Sequence, residues 1–314
     1  MKKCFVGFDT SNYTTSVAVC SAQGEILANL KRPLPVGAGE RGLRQSDAVF
    51  SHIKNLPSIS DELREALRGY EVTAVGVSVR PRDVEGSYMP CFLSGVAAAK
   101  AFAAACNVPV FEFSHQGGHI MAAAYSSGEA ECLLSDKFLA FHVSGGTTEA
   151  LLIRPDGSLF SAELVGQTLD LNAGQVIDRI GVALGLSFPC GAALEALARD
   201  FSGKVYRPRI SVRDGNCNLS GLENMALELY KKTEDKKAVA AFVFDFVCRT
   251  LKEMCAQLME KYGNMPVLFA GGVMSNTYMR DAIRSDFDAY FSAPAFSADN
   301  AAGIALLCRR KYLN

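Results

Sequence analysis

The sequence predicts an α/β protein of two duplicated lobes, and three observations carry the prediction. Residues 5–27 read onto residues 138–160 at a constant offset of 133, without a gap. Each copy follows one order: an apolar run (Phe5-Val6-Gly7-Phe8, then Phe138-Leu139-Ala140-Phe141), a polar loop ending in a threonine pair (Thr14-Thr15, then Thr147-Thr148), and a second apolar run. A turn with glycine in register (Gly24, Gly157) and a third strand beginning at Ile26 or Leu159 complete it. That pattern is a β-meander used twice. After each meander the chain alternates strand, loop and helix, the rhythm of a parallel α/β sheet. A repeat spaced by a domain length, rather than by the roughly 20 to 50 residues of a solenoid, means two related lobes. Two such lobes, expected over residues 1–130 and 131–314, make a central cleft.

In the first lobe, a Gly/Pro-rich connection (33–42) leads to helices expected over 46–56 and 60–67 and a buried valine-rich strand over 72–79. The polar loop Arg80-Pro81-Arg82-Asp83, a helix over 94–106 and a strand over 108–113 follow. The second lobe carries a helical insertion: a long helical region over 173–201 interrupted near Pro189, a loop through Asn218, and helices over 222–231 and 238–262. A strand at 267–270 runs into Gly271-Gly272, a helix starts near Asn276, Tyr290-Phe291 form a last strand, and a closing helix over 299–312 returns toward the cleft.

Composition narrows the function classes. At 314 residues, 49% hydrophobic and a net charge of −1, the chain can bury two cores and has no global basic surplus. Contact with nucleic acid must therefore come from a local patch, such as Lys204, Arg207, Arg209 and Arg213 or the terminal Arg309-Arg310-Lys311. A solvated loop and a helix end favoured by its dipole explain these runs equally well. Ten cysteines lie scattered without a CxxC pair, and Asp9 interrupts the first apolar run too early for a secretory signal. These features read as reduced thiols in a cytoplasmic protein. The longest apolar stretch, 95–111, is broken by Lys100 and Asn107, so no membrane span is expected.

Both meander loops suit phosphate. Asp9-Thr10-Ser11-Asn12 and Ser144-Gly145-Gly146-Thr147-Thr148 offer hydroxyl donors and glycines that let backbone amides approach an anion. Asp9 and Ser11 are the candidate catalytic residues of the first loop; Ser144, Gly145, Gly146 and Thr147 are candidate ligand contacts in the second. Gly272, in the strand-to-helix turn, lets a flat base or ribose lie on backbone, and Asn276 can hydrogen-bond either. Asp178 suits ribose hydroxyls, or else pairs with Arg179 or caps locally. His115 and His119 stand i,i+4; on one helix face they can share a metal if a carboxylate completes the set, Asp299 being the candidate. Gln116, directly after the first histidine, cannot act as the general base of a zinc protease, which disfavours metalloprotease chemistry.

Seven segments in order resemble the family of tRNA threonylcarbamoyltransferases, once described as M22 glycoproteases, within the actin, hexokinase and Hsp70-like superfamily. They are 115–119, 143–147, 166–178, 186–191, 220–222, 270–276 and 299–302. The resemblance implies two ribonuclease-H-like lobes. It implies His115, His119 and Asp299 as ligands of one divalent metal, iron or zinc. It implies Ser144, Gly145, Gly146, Asp178, Gly191 and Asn276 as groups holding an adenine nucleotide or threonylcarbamoyl-adenylate. The implied reaction moves the threonylcarbamoyl group to the exocyclic amine of the tRNA adenosine beside the anticodon. The implied partners are tRNA and a smaller homologous protein bound through the first lobe. The chain departs from the family at three places: Asn12-Tyr13-Thr14 replace an acidic pair, Gly117 replaces a glutamate, and Arg80-Pro81-Arg82 replace a Gly-Pro-Gly loop. These departures mark a divergent paralogue, and a nucleotide-binding partner or regulator of the true transferase is the rival role.

Overall fold

Lys2–Thr10 (β1) is buried from Cys4 onward because both its faces are covered there. The computed structural model describes residues 1–35, 43–297 and 301–314, which divide into two units. In the first unit, β1 pairs antiparallel with Thr14–Ser21 (β2), which pairs with Ile26–Pro33 (β3). The helix Gln45–Ala66 (α1) follows, then Tyr70–Arg80 (β4), Phe92–Cys106 (α2), Val110–Ser114 (β5) and His115–Ser127 (α3). Strands β4 and β5 add in parallel, giving the order β3-β2-β1-β4-β5. Alternation decides what each face covers. Cys4, Val6 and Phe8 join Val17, Val19, Val75 and Val77 against Ile59 and Leu63 of α1 and Ala99 and Ala103 of α2. Each such valine, leucine or phenylalanine contributes about 1.5–3 kcal/mol on burial.

The two helices expected over 46–56 and 60–67 are one. Pro57 lies on the exposed side of α1, so the carbonyl its missing N–H frees, that of the exposed Ile53, meets water. Ser58 and Ser60 hydroxyls donate back to the Asn55 and Leu56 carbonyls, which holds the turn.

In the second unit, Ala130–Ser135 (α4) leads to Phe138–Val143 (β6), Thr148–Asp156 (β7) and Leu159–Gln167 (β8). Then come Ala173–Ala183 (α5), Gly191–Arg199 (α6), Ser211–Arg213 (β9), Asn216–Asn218 (β10), Ser220–Thr233 (α7) and Lys236–Tyr262 (α8). Val267–Ala270 (β11), Thr277–Arg284 (α9), Ala289–Phe291 (β12), Pro294–Ser297 (α10) and Ala302–Leu313 (α11) complete the chain. The sheet order β12-β11-β6-β7-β8 matches that of the first unit strand for strand, the duplication the offset of 133 predicts. Leu139, Phe141 and Val143 face a core built from α5 to α9, with Phe242, Val243, Val247 and Leu251 of α8 at its centre.

The hairpin β9–β10 falls where a plain loop is expected. Its signal was present in Asp214-Gly215, both at positive φ (52° and 77°), the pair a tight hairpin turn favours. Its three-residue strands are too polar to announce themselves.

The closing helix α11, expected with residues 131–314, packs in the first unit on β1, β4 and α3. Here Gly118 of α3 meets Gly303 of α11: a Cβ at Gly303 would overlap the Gly118 carbonyl oxygen. The β7–β8 turn also counts with this unit, where Arg310 Nε donates to the Ser158 carbonyl at 2.6 Å. Among the described residues no helix is long and apolar enough to cross a membrane, and all ten cysteines are unpaired. Burial pushes the Cys20 and Cys217 thiols up to about 12, which removes them as nucleophiles near neutral pH.

Candidate active site

In the first unit the residues of interest meet at the carboxyl ends of β1, β4 and β5. Asp9, at the end of β1, is 1% exposed. Its Oδ1 accepts from Ser78 Oγ on β4 at 2.5 Å, and its Oδ2 lies 2.7 Å from His115 Nδ1. Helix α3 places His115 and His119 one turn apart, and their Nε2 atoms stand 3.0 Å from each other. Both oxygens of Asp9 are thus engaged, and it fixes the His115 ring from behind. Ser78 was not foreseen; a lone hydroxyl inside the valine-rich run Val75-Gly76-Val77-Ser78-Val79 is the signal that would have found it.

The rest of the first loop is pinned by its surroundings. Thr10 Oγ1 donates to the Cys91 carbonyl at 3.0 Å and accepts from Gly95 N at 3.1 Å. Asn12 Oδ1 accepts from Gln45 Nε2 at 2.6 Å. Ser11 is buried, at 3% exposure. Behind the loop, fully buried His52 places Nδ1 2.8 Å from Thr15 Oγ1, which also accepts from Asn55 Nδ2 at 3.1 Å. Thr15 Oγ1 and His52 Nδ1 share one hydrogen, its donor set by the ring's tautomer. Burial pushes the His52 imidazole below its usual range, while the Ser11 backbone and Asp9 pull it partly back.

Two nitrogens across a tetrahedral metal with bonds of about 2.0–2.1 Å would sit roughly 3.3 Å apart. The His115–His119 spacing is close to that, and a buried carboxylate on the far nitrogen of His115 is the usual support of a ligating imidazole. The third expected ligand, Asp299, lies outside the described residues. Among those described, no group of three or more His, Cys, Asp or Glu gathers to hold a metal.

In the second unit, the other expected residues collect at the carboxyl ends of β6 and β11, where open α/β sheets bind ligands. Ser144 N donates to the Thr147 carbonyl at 2.7 Å, and Ser144 Oγ accepts from Gly146 N and Thr147 N at 3.3 and 3.1 Å. The Ser144 hydroxyl therefore shapes the loop. Gly145 and Gly146 are exposed, with nothing within 4 Å of where a side chain would start. Helix α5 abuts this loop: a Cβ on Gly174 would lie 2.7 Å from Gly145 N, and Gly174 N donates to the Ser144 carbonyl at 3.1 Å. Asp178, one turn along α5, accepts from Cys190 N at 2.7 Å and so ties down the start of α6 at Gly191. Arg179 pairs with Glu223 at 2.9 Å, not with Asp178.

Gly271 takes φ 98° and lets the next turn pass against the Val143 carbonyl, beside the Ser144 loop. Gly272 is open on its far side. Asn276 caps α9 through Oδ1, which accepts from Met279 N at 2.9 Å, while its buried Nδ2 has no hydrogen-bond partner. A buried amide donor without an acceptor costs about 1–3 kcal/mol, and this one is left able to donate to a further oxygen or ring nitrogen.

Two matched lobes, each with a polar hairpin loop at the carboxyl ends of its strands, give the two-lobed ribonuclease-H-like fold of actin, hexokinase and Hsp70-like proteins. Solved structures share the fold. T. kodakarensis HypF superposes with a TM-score of 0.59 at 12% identity over 99% of this chain, which spans about half, 48%, of the HypF chain. A ROK family glucokinase from Streptomyces griseus gives 0.53 at 16% identity, covering 98% of this chain and 99% of its own. Residues 40–306 match the model of the tRNA N6-adenosine threonylcarbamoyltransferase family, and the chain belongs to that family. Relatives of that name are 30% identical in Enterococcus faecalis, over 90% of this chain and 81% of theirs, and 27% identical in Thermotoga neapolitana, over 96% and 91%.

Proposed function

We propose that this protein transfers a threonylcarbamoyl group from threonylcarbamoyl-adenylate to the exocyclic amine of the tRNA adenosine next to the anticodon. The observation that supports it most is the pair of imidazole nitrogens held 3.0 Å apart on α3, with His115 oriented by the buried Asp9 carboxylate. His115, His119 and Asp299 would hold one iron or zinc ion. Bound there, the metal supplies a Lewis acid that polarises the carbonyl of the transferred group. Asp9 acts on the substrate only through His115. The adenylate's phosphate would lie against the Gly145-Gly146 backbone, with Ser144 and Thr147 shaping that loop. Gly272 and Asn276 Nδ2 would receive the nucleoside, and Asp178 and Gly191 its ribose.

Exposed Lys204, Arg209 and Arg213 suit a tRNA backbone, whereas Arg207 is taken up by Asp245, at 2.8 Å. A cytoplasmic location and a smaller homologous partner on the first unit belong to the same proposal. One observation favours the rival role of a regulatory paralogue: Asn12 at the place of the family's acidic pair is fastened to Gln45 rather than offered to a substrate.

Single-turnover transfer of labelled threonylcarbamoyl from its adenylate to unmodified tRNA, with metal-loaded protein and the host's partner proteins, tests the proposal. Transfer that His119→Ala abolishes is the expected result. Tight nucleotide binding without transfer assigns the chain to the regulatory role.

A further inference from the structure

Two departures from the family pattern, the loop that opens with Arg80-Pro81-Arg82 and Gly117, meet in space at the first turn of α3. Ser114 caps that helix: its Oγ accepts from Gly117 N at 3.0 Å and donates to Asp83 Oδ2 at 2.5 Å. The other oxygen, Asp83 Oδ1, is gripped by Arg80 through Nε at 3.0 Å and Nη2 at 2.7 Å. Gln116 N donates to the Pro81 carbonyl at 3.0 Å, so a second amide of the same turn is satisfied by the same loop. A Cβ on Gly117 would lie 3.1 Å from Ser114 Oγ and 4.0 Å from Asp83 Oδ2. A carboxylate two bonds beyond that Cβ would fall on the space and charge of Asp83, and two carboxylates at that separation repel.

We infer that Asp83 is a positioning residue for the His115–His119 pair: its carboxylate, delivered from the β4–α2 loop, takes the place that an acidic side chain at residue 117 would fill. The inference rests on reading His115 and His119 as metal ligands. Its physical logic is local. A helix start is set by what satisfies its first amides and by negative charge near them. Here the Asp83–Ser114 couple supplies both, immediately before His115. With Arg80 paired to Ser114 across the β4–β5 ladder, the loop cannot shift without moving the cap. Gly117 suits the couple, since a Cβ there would press on Ser114 Oγ at 3.1 Å and a longer acidic side chain would meet Asp83.

The test is a double-substitution cycle read in two ways, by thermal unfolding of the metal-free protein and by cobalt(II) titration. Asp83→Asn should weaken cobalt binding about ten-fold or more, the usual loss when an outer support of a ligand goes. Asp83→Ala and Gly117→Glu should each lower the melting temperature and the cobalt affinity. The double variant Asp83→Ala/Gly117→Glu should recover both, a strong non-additivity of the kind contacting residues show. Additive losses in the double variant, or wild-type cobalt affinity in Asp83→Asn, would overturn the inference. If neither wild type nor His119→Ala takes up cobalt, the ligand reading has failed; the metal-free melting cycle then decides the Asp83–Gly117 exchange alone, recovery supporting it and additivity sinking it.

Discussion

Asp9 Oδ2 and His115 Nδ1 lie 2.7 Å apart, the carboxylate at the end of one strand and the imidazole at the start of a helix 106 residues later. The contact fixes the ring's orientation and, with Nδ1 engaged, aims Nε2 at His119. Replacing Asp9 by Asn keeps a hydrogen-bond acceptor but removes the charge. Metal affinity should fall about 10- to 100-fold with little change in fold. Asp9→Ala should in addition cost about 1–3 kcal/mol, because Ser78 Oγ and His115 Nδ1 lose their buried acceptor. Calorimetric metal titration and thermal unfolding of both variants check this.

Asn276 does two jobs with two atoms, and they can be separated. Asn276→Asp retains the Oδ1 that caps α9 but has no amide donor. The variant keeps its cap but should lose about 1–3 kcal/mol, because a carboxylate oxygen replaces the buried, unpartnered Nδ2. Its adenine nucleotide affinity should also drop measurably by calorimetry. Equal affinity in the two proteins would remove Asn276 from the ligand site.

His52 ties stability to pH. Burial lowers its folded value below the unfolded reference of about 6.5. The unfolded chain therefore binds the proton first on acidification, so the stabilisation is fully present above about pH 6.5 and is lost as pH falls toward the lowered folded value. Melting temperatures between pH 8 and 5 should decline more steeply for wild type than for His52→Gln, which cannot titrate.

Asp170 acts in the same direction at lower pH. Burial pushes its carboxyl up, but the Ser220 hydroxyl and the amides of Leu219, Leu171 and Ser220 outweigh it and bring the value down to about 2. These bonds fasten the Thr168–Leu171 turn to the start of α7. The stabilisation is present above the unfolded value near 4 and disappears as pH falls toward 2. Because the side chain is exposed, solvent screening holds the effect of Asp170→Asn to about 1 kcal/mol at neutral pH. Its acid unfolding curve should be flatter than that of wild type between pH 4 and 2.

Gly303→Ala places a methyl group onto the Gly118 carbonyl and against Ala122 N, so the backbones of α3 and α11 must move apart. The cost should be about 3 kcal/mol, the upper end for overpacking, since backbone rather than a flexible side chain must move. Urea unfolding would register it as a lower midpoint at unchanged slope.

The duplication was readable because two apolar runs, a polar loop and an in-register glycine recur at one fixed offset without a gap, and both sheets follow it. The helix break expected within 46–67 is absent because Pro57 faces water, something sequence spacing does not encode. Among the candidate residues, the i,i+4 histidines and the glycine loops are legible as local patterns. What was not legible is long-range. Ser78 beneath Asp9, His52 behind Thr15 and Asp83 at the α3 cap come together through strand register and helix packing, from segments 31 to 69 residues apart. Asp178 is singled out in the sequence for its chemistry toward ribose, whereas its hold on Cys190 emerges only from the fold.

The placement of Ala302–Leu313 in the first unit has a bearing on how the chain is made. One face of β1, β2 and β4 can pack on α1 and α2 as soon as these are made, but the other waits for a helix some three hundred positions after β1. Through that interval Phe5, Cys20 and Ala74, which are buried in the finished protein, lie on a sheet whose covering helix does not yet exist. Slowing synthesis anywhere between β5 and α11 should therefore raise the insoluble fraction of the nascent chain.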